Sequence, residues 1–317
     1  MKNKLIFLLI TSTTLASAQT KSSGIVSQQE VARILNTLTA DEMHGRAAYS
    51  PDIEKAADFI STEFKQIGLK PFAGGEYRQT FTSKIKPDKP LFNVVGVLPG
   101  ISKPDEYVIF SAHYDHIGII KPVGQDSIAN GADDDASGVS AVISLARYYA
   151  RRHDNARSLL FVTFTAEELG LVGSSYFTSQ INPDQVVAMI NIEMIGKDSK
   201  FGPNSVFVTG FDRSDLATIM QKNVEGTDFT FHPDPYPAQK LFYRSDNATL
   251  AAQGVPAHSF STDQIDTDSL YHSVKDEVSS LNVGNIVASI QAIAIGAQSI
   301  VSGKDTPSRV PKLKKNP

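Results

Sequence analysis

The stretch Leu159 to Phe164 reads Leu-Leu-Phe-Val-Thr-Phe, six residues that are apolar or β-branched with no polar alternation. A strand of this kind has no face to offer to water and must be covered on both sides, which makes it an inner strand of a sheet packed between helices. Similar short runs occur at Gln79 to Lys84, Phe92 to Leu98, Tyr107 to Ser111, Val187 to Ile192, Val206 to Thr209 and Ala257 to Ser261. Segments with helical spacing of apolar residues separate them: Ser137 to Arg151, Gly173 to Ser179, Asp215 to Asn223, Asp246 to Gln253 and Val283 to Ile300. Two further helices precede them, Val31 to Leu38 and Ile53 to Leu69. The second carries the stripe Ile53, Ala57, Ile60, Phe64, Ile67, with Ser50 and Pro51 at its start and Gly68 at its end. Met43 to Arg46 between them is expected as a loop. The alternation gives an α/β protein, a three-layer α/β/α sandwich around a central, mostly parallel mixed sheet.

The N-terminus has a different character. Lys2 and Lys4 precede the apolar run Leu5 to Ile10, and Ala16-Ser17-Ala18 follows, the basic, greasy and small-residue order of a secretory signal peptide cut after Ala18. The greasy part is too short to remain as a membrane span, and no later segment reaches about 18 uninterrupted apolar residues. The expected organisation is a signal peptide over 1–18, one domain over 19–303 and a basic, disordered tail over 304–317, in a protein exported to the periplasm or beyond. The chain has no cysteine, which excludes disulfides and thiolate metal sites, and its net charge of −4 with both signs interspersed offers no basic field for nucleic acid or an anionic membrane.

In open α/β sheets ligands bind where the carboxyl ends of the strands converge. Here those ends carry acids and histidines. Ile109 to Ala112 runs into His113-Tyr114-Asp115, where Asp115 is placed to accept the second N–H of the imidazole. Asp133-Asp134-Asp135, between Gly131 and Gly138, precedes a helix. Three adjacent carboxylates repel one another unless a cation or a helix N-terminus faces them. Leu159 to Phe164 leads into Glu167-Glu168, and adjacent acids point in different directions, so one can bind a metal while the other carries a proton. Val187 to Ile192 ends on Glu193, and Tyr271-His272 lies in a polar loop before the last long helix. Each motif alone has an ordinary structural explanation. Together they supply only His, Asp and Glu, the inventory of a two-zinc hydrolytic site.

In this order the motifs resemble the co-catalytic zinc exopeptidases of clan MH, which include bacterial leucyl aminopeptidases, aminopeptidase Y, glutamate carboxypeptidase and glutaminyl cyclases, and are M28-like peptidases. The resemblance runs from the His44-Gly45-Arg46 loop to Tyr271-His272 and implies the zinc exopeptidase fold and two zinc ions. It makes Asp134 the bridging ligand, Glu168 and His272 the ligands completing one zinc, and His113 and Glu193 those completing the other. It gives Glu167 the role of general base, Asp115 that of orienting His113, and Tyr271 that of an oxyanion donor. It also implies a cis peptide between Asp134 and Asp135. Two positions depart from the pattern: Glu193 stands where Asp is usual, and Asn247 follows Asp246 where many relatives carry His. The interval from Pro71 to Phe92 is too short for an inserted protease-associated domain. The activity implied is an aminopeptidase acting on peptides, with a carboxypeptidase or dipeptidase of the same clan and a glutaminyl cyclase as alternatives. A non-catalytic binding module on this fold would be expected to have lost ligands or the base.

Overall fold

The computed structural model describes residues 26–72 and 75–313. The residues of the expected signal peptide therefore lie outside it. Five strands follow the first two helices, α1 (Gln28–Leu38) and α2 (Asp52–Ile67): β1 (Lys70–Pro71), β2 (Arg78–Thr82), β3 (Pro90–Leu98), β4 (Lys103–His113) and β5 (Gly118–Val123). Then come β6 (Asp126–Ala129), α3 (Gly138–Arg152), β7 (Arg157–Phe164), α4 (Val172–Gln180), β8 (Val186–Ile192) and β9 (Ser205–Val208). The chain finishes with α5 (Leu216–Asn223), β10 (Thr230–Pro233), α6 (Asn247–Ala252), β11 (Ala257–Ser261), α7 (Val283–Gly296) and α8 (Gln298–Val301).

The sheet order is β1-β3-β7-β4-β8-β11-β9-β10, with β2 also paired to β3. The four central strands β7, β4, β8 and β11 are parallel, while β3 and β9 pair antiparallel on either side of them. Every residue of β7 is buried, the run Leu159 to Phe164 as its sequence requires and Arg157 through its ion pair with Glu106. One sheet face carries α1, α2, α3, α5 and α7 over a large core that includes Phe64, Phe110, Val142, Met220 and Ile290. The other carries α4 and α6, with Phe177, Leu250 and Val255 packed on Ile109, Leu160 and Met189. The expected three-layer sandwich is thus present.

Local details follow the sequence where the signals are local. Ser50 Oγ accepts the Ile53 N–H at 3.2 Å to open α2, and Gly68, at φ 88°, closes it. Met43 to Arg46 is not a plain loop but belongs to a 3₁₀ turn over Asp41–Arg46. The long helix expected from Val283 to Ile300 breaks at Ala297 into α7 and α8. Residues 304–313 depart from the expected disorder and lie against the body. Arg309 donates to the Val186 carbonyl at 2.7 Å, Val310 is buried in the α4–α6 core, and Leu313 N–H donates to the Ala252 carbonyl. An apolar anchor and satisfied backbone groups outweigh the basic, proline-containing composition. No helix of the described residues is long and apolar enough to cross a membrane.

Candidate metal centre

The parallel register brings the chemistry to one edge. His113, the last residue of β4, pairs with Phe164, the last of β7, and Ile192 at the end of β8 pairs with Phe260 of β11. The acids that follow β7 and β8 therefore emerge beside His113. The turns are tight: Ala166, just before Glu167, and Met194, just after Glu193, take φ of 55° and 50°, and His272 itself takes 53°. Non-glycine residues enter this region rarely, and they cluster where a site over-determines the backbone.

The three consecutive acids are buried and do three different jobs. Asp135 caps α3 by accepting Gly138 N–H at 3.0 Å and also takes Met194 N–H at 3.1 Å and His113 N–H at 3.2 Å. Asp133 accepts Gly196 N–H at 2.7 Å and faces the Lys197 ammonium at 3.3 Å. That ammonium also pairs with Asp268 at 2.5 Å, so the acidic group of Asp133, Asp263 and Asp268 already contains its cation. Asp134 turns its carboxylate between the histidines, Asp135 presents an oxygen within 4.8 Å of donor atoms of His113 and Glu193, and the Asp134–Asp135 peptide is cis. The preceding loop is held by Asp276, whose two carboxylate oxygens accept the N–H groups of Asp133 at 2.9 Å and Asp134 at 3.1 Å.

Around Asp134 the side chains form two lobes. Its Oδ1 lies 3.1 Å from His113 Nε2, which is 3.3 Å from Glu193 Oε1. Its Oδ2 lies 3.2 Å from His272 Nε2, which is 3.1 Å from Glu168 Oε2. Donors about 2.0–2.2 Å from one zinc stand roughly 3.3–3.6 Å apart, so both lobes are close to the size that ion needs. Imidazole and carboxylate donors without thiolate suit it chemically. Buried atoms without hydrogen-bond partners point the same way: Glu168 Oε1 and both ring nitrogens of His116 have none. His116 is fully buried, and its Nδ1 lies 3.1 Å from Glu168 Oε1 and 3.6 Å from Asp134 Oδ2.

Charge dominates the electrostatics. Burial alone would raise the Asp134 pKa, but the imidazoles of His116, His113 and His272 hold it well below the usual carboxylate range. For His272, burial is outweighed by Asp134 and Glu168, which push its pKa up to about 10. Burial, reinforced by the carboxylates of Asp246, Glu193 and Glu168, drives Glu167 well above the usual range. A set of acids that draws protons onto its histidines is one that a divalent cation would neutralise.

The expected residues Glu167, Glu168, Glu193, Asp134, His113 and Tyr271 all line one pocket beside the cluster. The same pocket is lined by the apolar Met194, Phe207, Leu241 and Ile265 and by Arg244. The ring of Tyr271 stacks on His272 at 3.9 Å between centroids. Asp115 meets its expectation only in part. The His113 Nδ1 contact is with the Asp115 main-chain carbonyl at 3.0 Å, and the carboxylate, 3.8 Å away, instead accepts Glu167 N–H at 3.1 Å. The turn after β4 presents the carbonyl to the ring and swings the side chain toward β7. Glu193 uses its extra methylene to reach both His113 and the Ser245 hydroxyl, which donates to Oε2 at 2.6 Å. Asn247 stands behind the pocket lining, accepting from the Ser259 hydroxyl and donating to the Phe242 and Ala257 carbonyls.

Sequence reasoning passed over four residues here. His116 had the signal of a second histidine three places after His113. Asp276, Ser245 and the buried role of Arg46 had none, because each acts on a segment far away in the chain.

Residues 93–295 match the model of peptidase family M28. The chain belongs to that family. A probable zinc metalloprotease of Pyricularia oryzae is 33% identical over 156 residues, 46% of this chain and 30% of that protein. Leucine aminopeptidase 1 of Ajellomyces capsulatus is 27% identical over 210 residues, 62% of this chain and 52% of its own length. The chain thus spans between about a third and a half of the length of these two curated relatives. Among solved structures, BSAP, a zinc aminopeptidase from Bacillus subtilis, superposes with a TM-score of 0.69 at 14% identity, covering 89% of this chain and 97% of that one. Glutaminyl cyclase of Porphyromonas gingivalis gives 0.68 at 14% identity, covering 88% and 100%. Both show that the M28 chain shares their fold.

Proposed function

We propose that this M28 chain is a zinc aminopeptidase that releases N-terminal residues from peptides, with two zinc ions that Asp134, His113, Glu193, Glu168 and His272 would hold. The observation that carries this is the division of the Asp134 carboxylate, one oxygen toward His113 and Glu193 and the other toward Glu168 and His272. Zinc bound there supplies Lewis-acid polarisation of the scissile carbonyl and acidifies water.

The protein groups do the rest. Glu167 lines the pocket and belongs to neither lobe, and its backbone N–H is fixed by Asp115. Its carboxylate takes the proton from the attacking water and returns one to the departing amine. Asp135 and the Asp115 carbonyl fix the backbone and ring of His113. Tyr271, which lines the same pocket, is read as the donor that steadies negative charge on the carbonyl oxygen. The apolar wall of Phe207, Leu241 and Ile265 takes an apolar first side chain, and the surplus of carboxylates favours a protonated α-amine over a carboxylate. The leucine aminopeptidase of Ajellomyces capsulatus, 27% identical over 210 residues, supports this choice over the cyclase. Residues 1–18 are read as an export signal, which N-terminal sequencing of the secreted protein would test by showing Gln19 first.

Free aminoacyl substrates, N-blocked dipeptides and glutaminyl peptides assayed side by side test the activity. Hydrolysis of the free aminoacyl substrates is expected. Turnover confined to blocked dipeptides would assign a carboxypeptidase, and cyclisation without hydrolysis a cyclase.

A further inference from the structure

We infer that His116 is a direct ligand of the zinc held by Glu168 and His272, giving that ion four protein groups while its neighbour has three. The inference rests on the two-zinc reading above. His116 has an accessibility of 1%, and neither of its ring nitrogens has a hydrogen-bond partner. A buried imidazole left wholly unpaired is costly, and native interiors almost always provide a partner.

What surrounds the ring defines that partner. Nδ1 is 3.1 Å from Glu168 Oε1 and 3.6 Å from Asp134 Oδ2, and His116, Asp134, Glu168 and His272 each present a donor atom within 4.8 Å of the others. The Glu168 contact is as short as a hydrogen bond but lacks hydrogen-bond geometry, since Nδ1 and Oε1 both remain unpartnered. Two donor atoms held this close without hydrogen-bond geometry between them are arranged as neighbours in one coordination sphere. The imidazoles of His116 and His272 meet edge to face at 5.6 Å, the relation of two rings converging on a common point.

The ring is also held in place. The His116 N–H donates to the Arg46 carbonyl at 3.3 Å, and the residue bridges to Ala47. Gly131, at φ 58°, lies so close that an added Cβ would stand 2.6 Å from His116 Cγ. The backbone on either side of the cluster therefore leaves a slot for this ring and little else.

Four protein donors make a closed zinc site, whereas three leave a position for water or substrate. An ion held by Glu168, His272, Asp134 and His116 would accordingly be firmly bound.

The test is a zinc count and competition titration against a chromogenic chelator on wild type and His116→Ala, with zinc-edge X-ray absorption on the loaded wild type. Three histidines on two ions predict about 1.5 imidazoles per zinc, and two predict about 1. The expected result is two zinc ions per wild-type chain, about 1.5 imidazoles each, and one ion weakened more than about 100-fold in His116→Ala, beyond the range for loss of an orienting partner. Two ions with about 1 imidazole each, or a variant that keeps both ions within about 100-fold, would overturn the ligand assignment and leave the two-zinc reading intact. Should the variant not fold, the wild-type imidazole count decides alone. A wild-type protein that takes up one zinc or none overturns the two-zinc reading, and this inference with it.

Discussion

Replacing Arg46 with Met tests whether one buried cation holds the floor of the site. The guanidinium is fully buried and donates to four carbonyls: Tyr114 at 2.8 Å, Leu38 at 2.7 Å, Asn130 at 2.6 Å and Gly131 at 2.9 Å. These belong to the end of α1, the turn after β4 and the loop before Asp134, so one side chain joins three segments that meet at the cluster. Methionine fills a comparable volume without donors, which removes the polar contribution with little cavity. Each acceptor left dry costs about 1–3 kcal/mol, and relief of the buried charge returns several kcal/mol. The net expectation is a loss of about 3–5 kcal/mol, the usual cost of removing one partner from a buried charged network. Equilibrium urea unfolding of the metal-free protein measures it without the stabilisation that bound zinc adds. Arg46→Lys keeps the charge but cannot fork to four acceptors, and should fall between the two. A loss below about 1 kcal/mol for Arg46→Met would refute the reasoning, because water would then have to satisfy those carbonyls.

On the proposed mechanism Glu167→Gln should retain zinc but lower kcat by several orders of magnitude, since it would remove the proton carrier and no ligand; near-normal turnover with zinc in place would exclude Glu167 from proton transfer. Gly131→Ala puts a Cβ 2.3 Å from the Asp134 carbonyl oxygen at φ 58°, so a loss of at least about 2 kcal/mol and weaker zinc binding are expected, checked by denaturant melts and zinc titration. His258 is buried between the Thr209 carbonyl and the Ser214 hydroxyl, and burial lowers its pKa from 6.5 to about 4. Below pH 6.5 the unfolded chain takes up a proton that the folded one refuses, so stability falls between pH 6.5 and about 4, by about 3 kcal/mol in all. His258→Gln should flatten that part of the stability–pH curve, and an unchanged slope would assign the loss to other groups.

How far the sequence reached depended on the range of the interaction responsible. The unbroken apolar run of β7 revealed a doubly covered sheet, because burial on both faces is a property of that segment alone. Gly68 and Ser50 marked the ends of α2 through contacts three or four residues away. The hairpin β5–β6 was not apparent: Ile119 and Val123 are exposed at 64% and 54%, so the segment lacks the apolar alternation that would announce it. Nor was the break at Ala297: Gly296 stands just before it but keeps a negative φ, so it lacks the left-handed turn that marks the end of α2 at Gly68. At the site, residues on the strand ends could be listed from the sequence, whereas the division of labour among Asp133, Asp134 and Asp135 could not. It is decided by Gly196, Met194 and Lys197, some 60 positions further along, and by Asp276 beyond them.

The order of these segments bears on how the molecule comes into being. Donors from the end of β4 through to the loop at His272 converge on Asp134, and β4 itself is hydrogen-bonded on one side to β7 and on the other to β8. A growing or partly folded chain that lacks the His272 loop holds acids and histidines that face no complete pocket. Topologies of this kind, with partners distant in sequence, form late and pay for loop closure before their contacts reward it. On the proposed two-zinc reading, high-affinity zinc uptake would report that the last loop has docked. In a refolding experiment, protection of zinc from a chelator should lag the burial of the sheet, and the two should coincide only if the ion itself nucleates the fold.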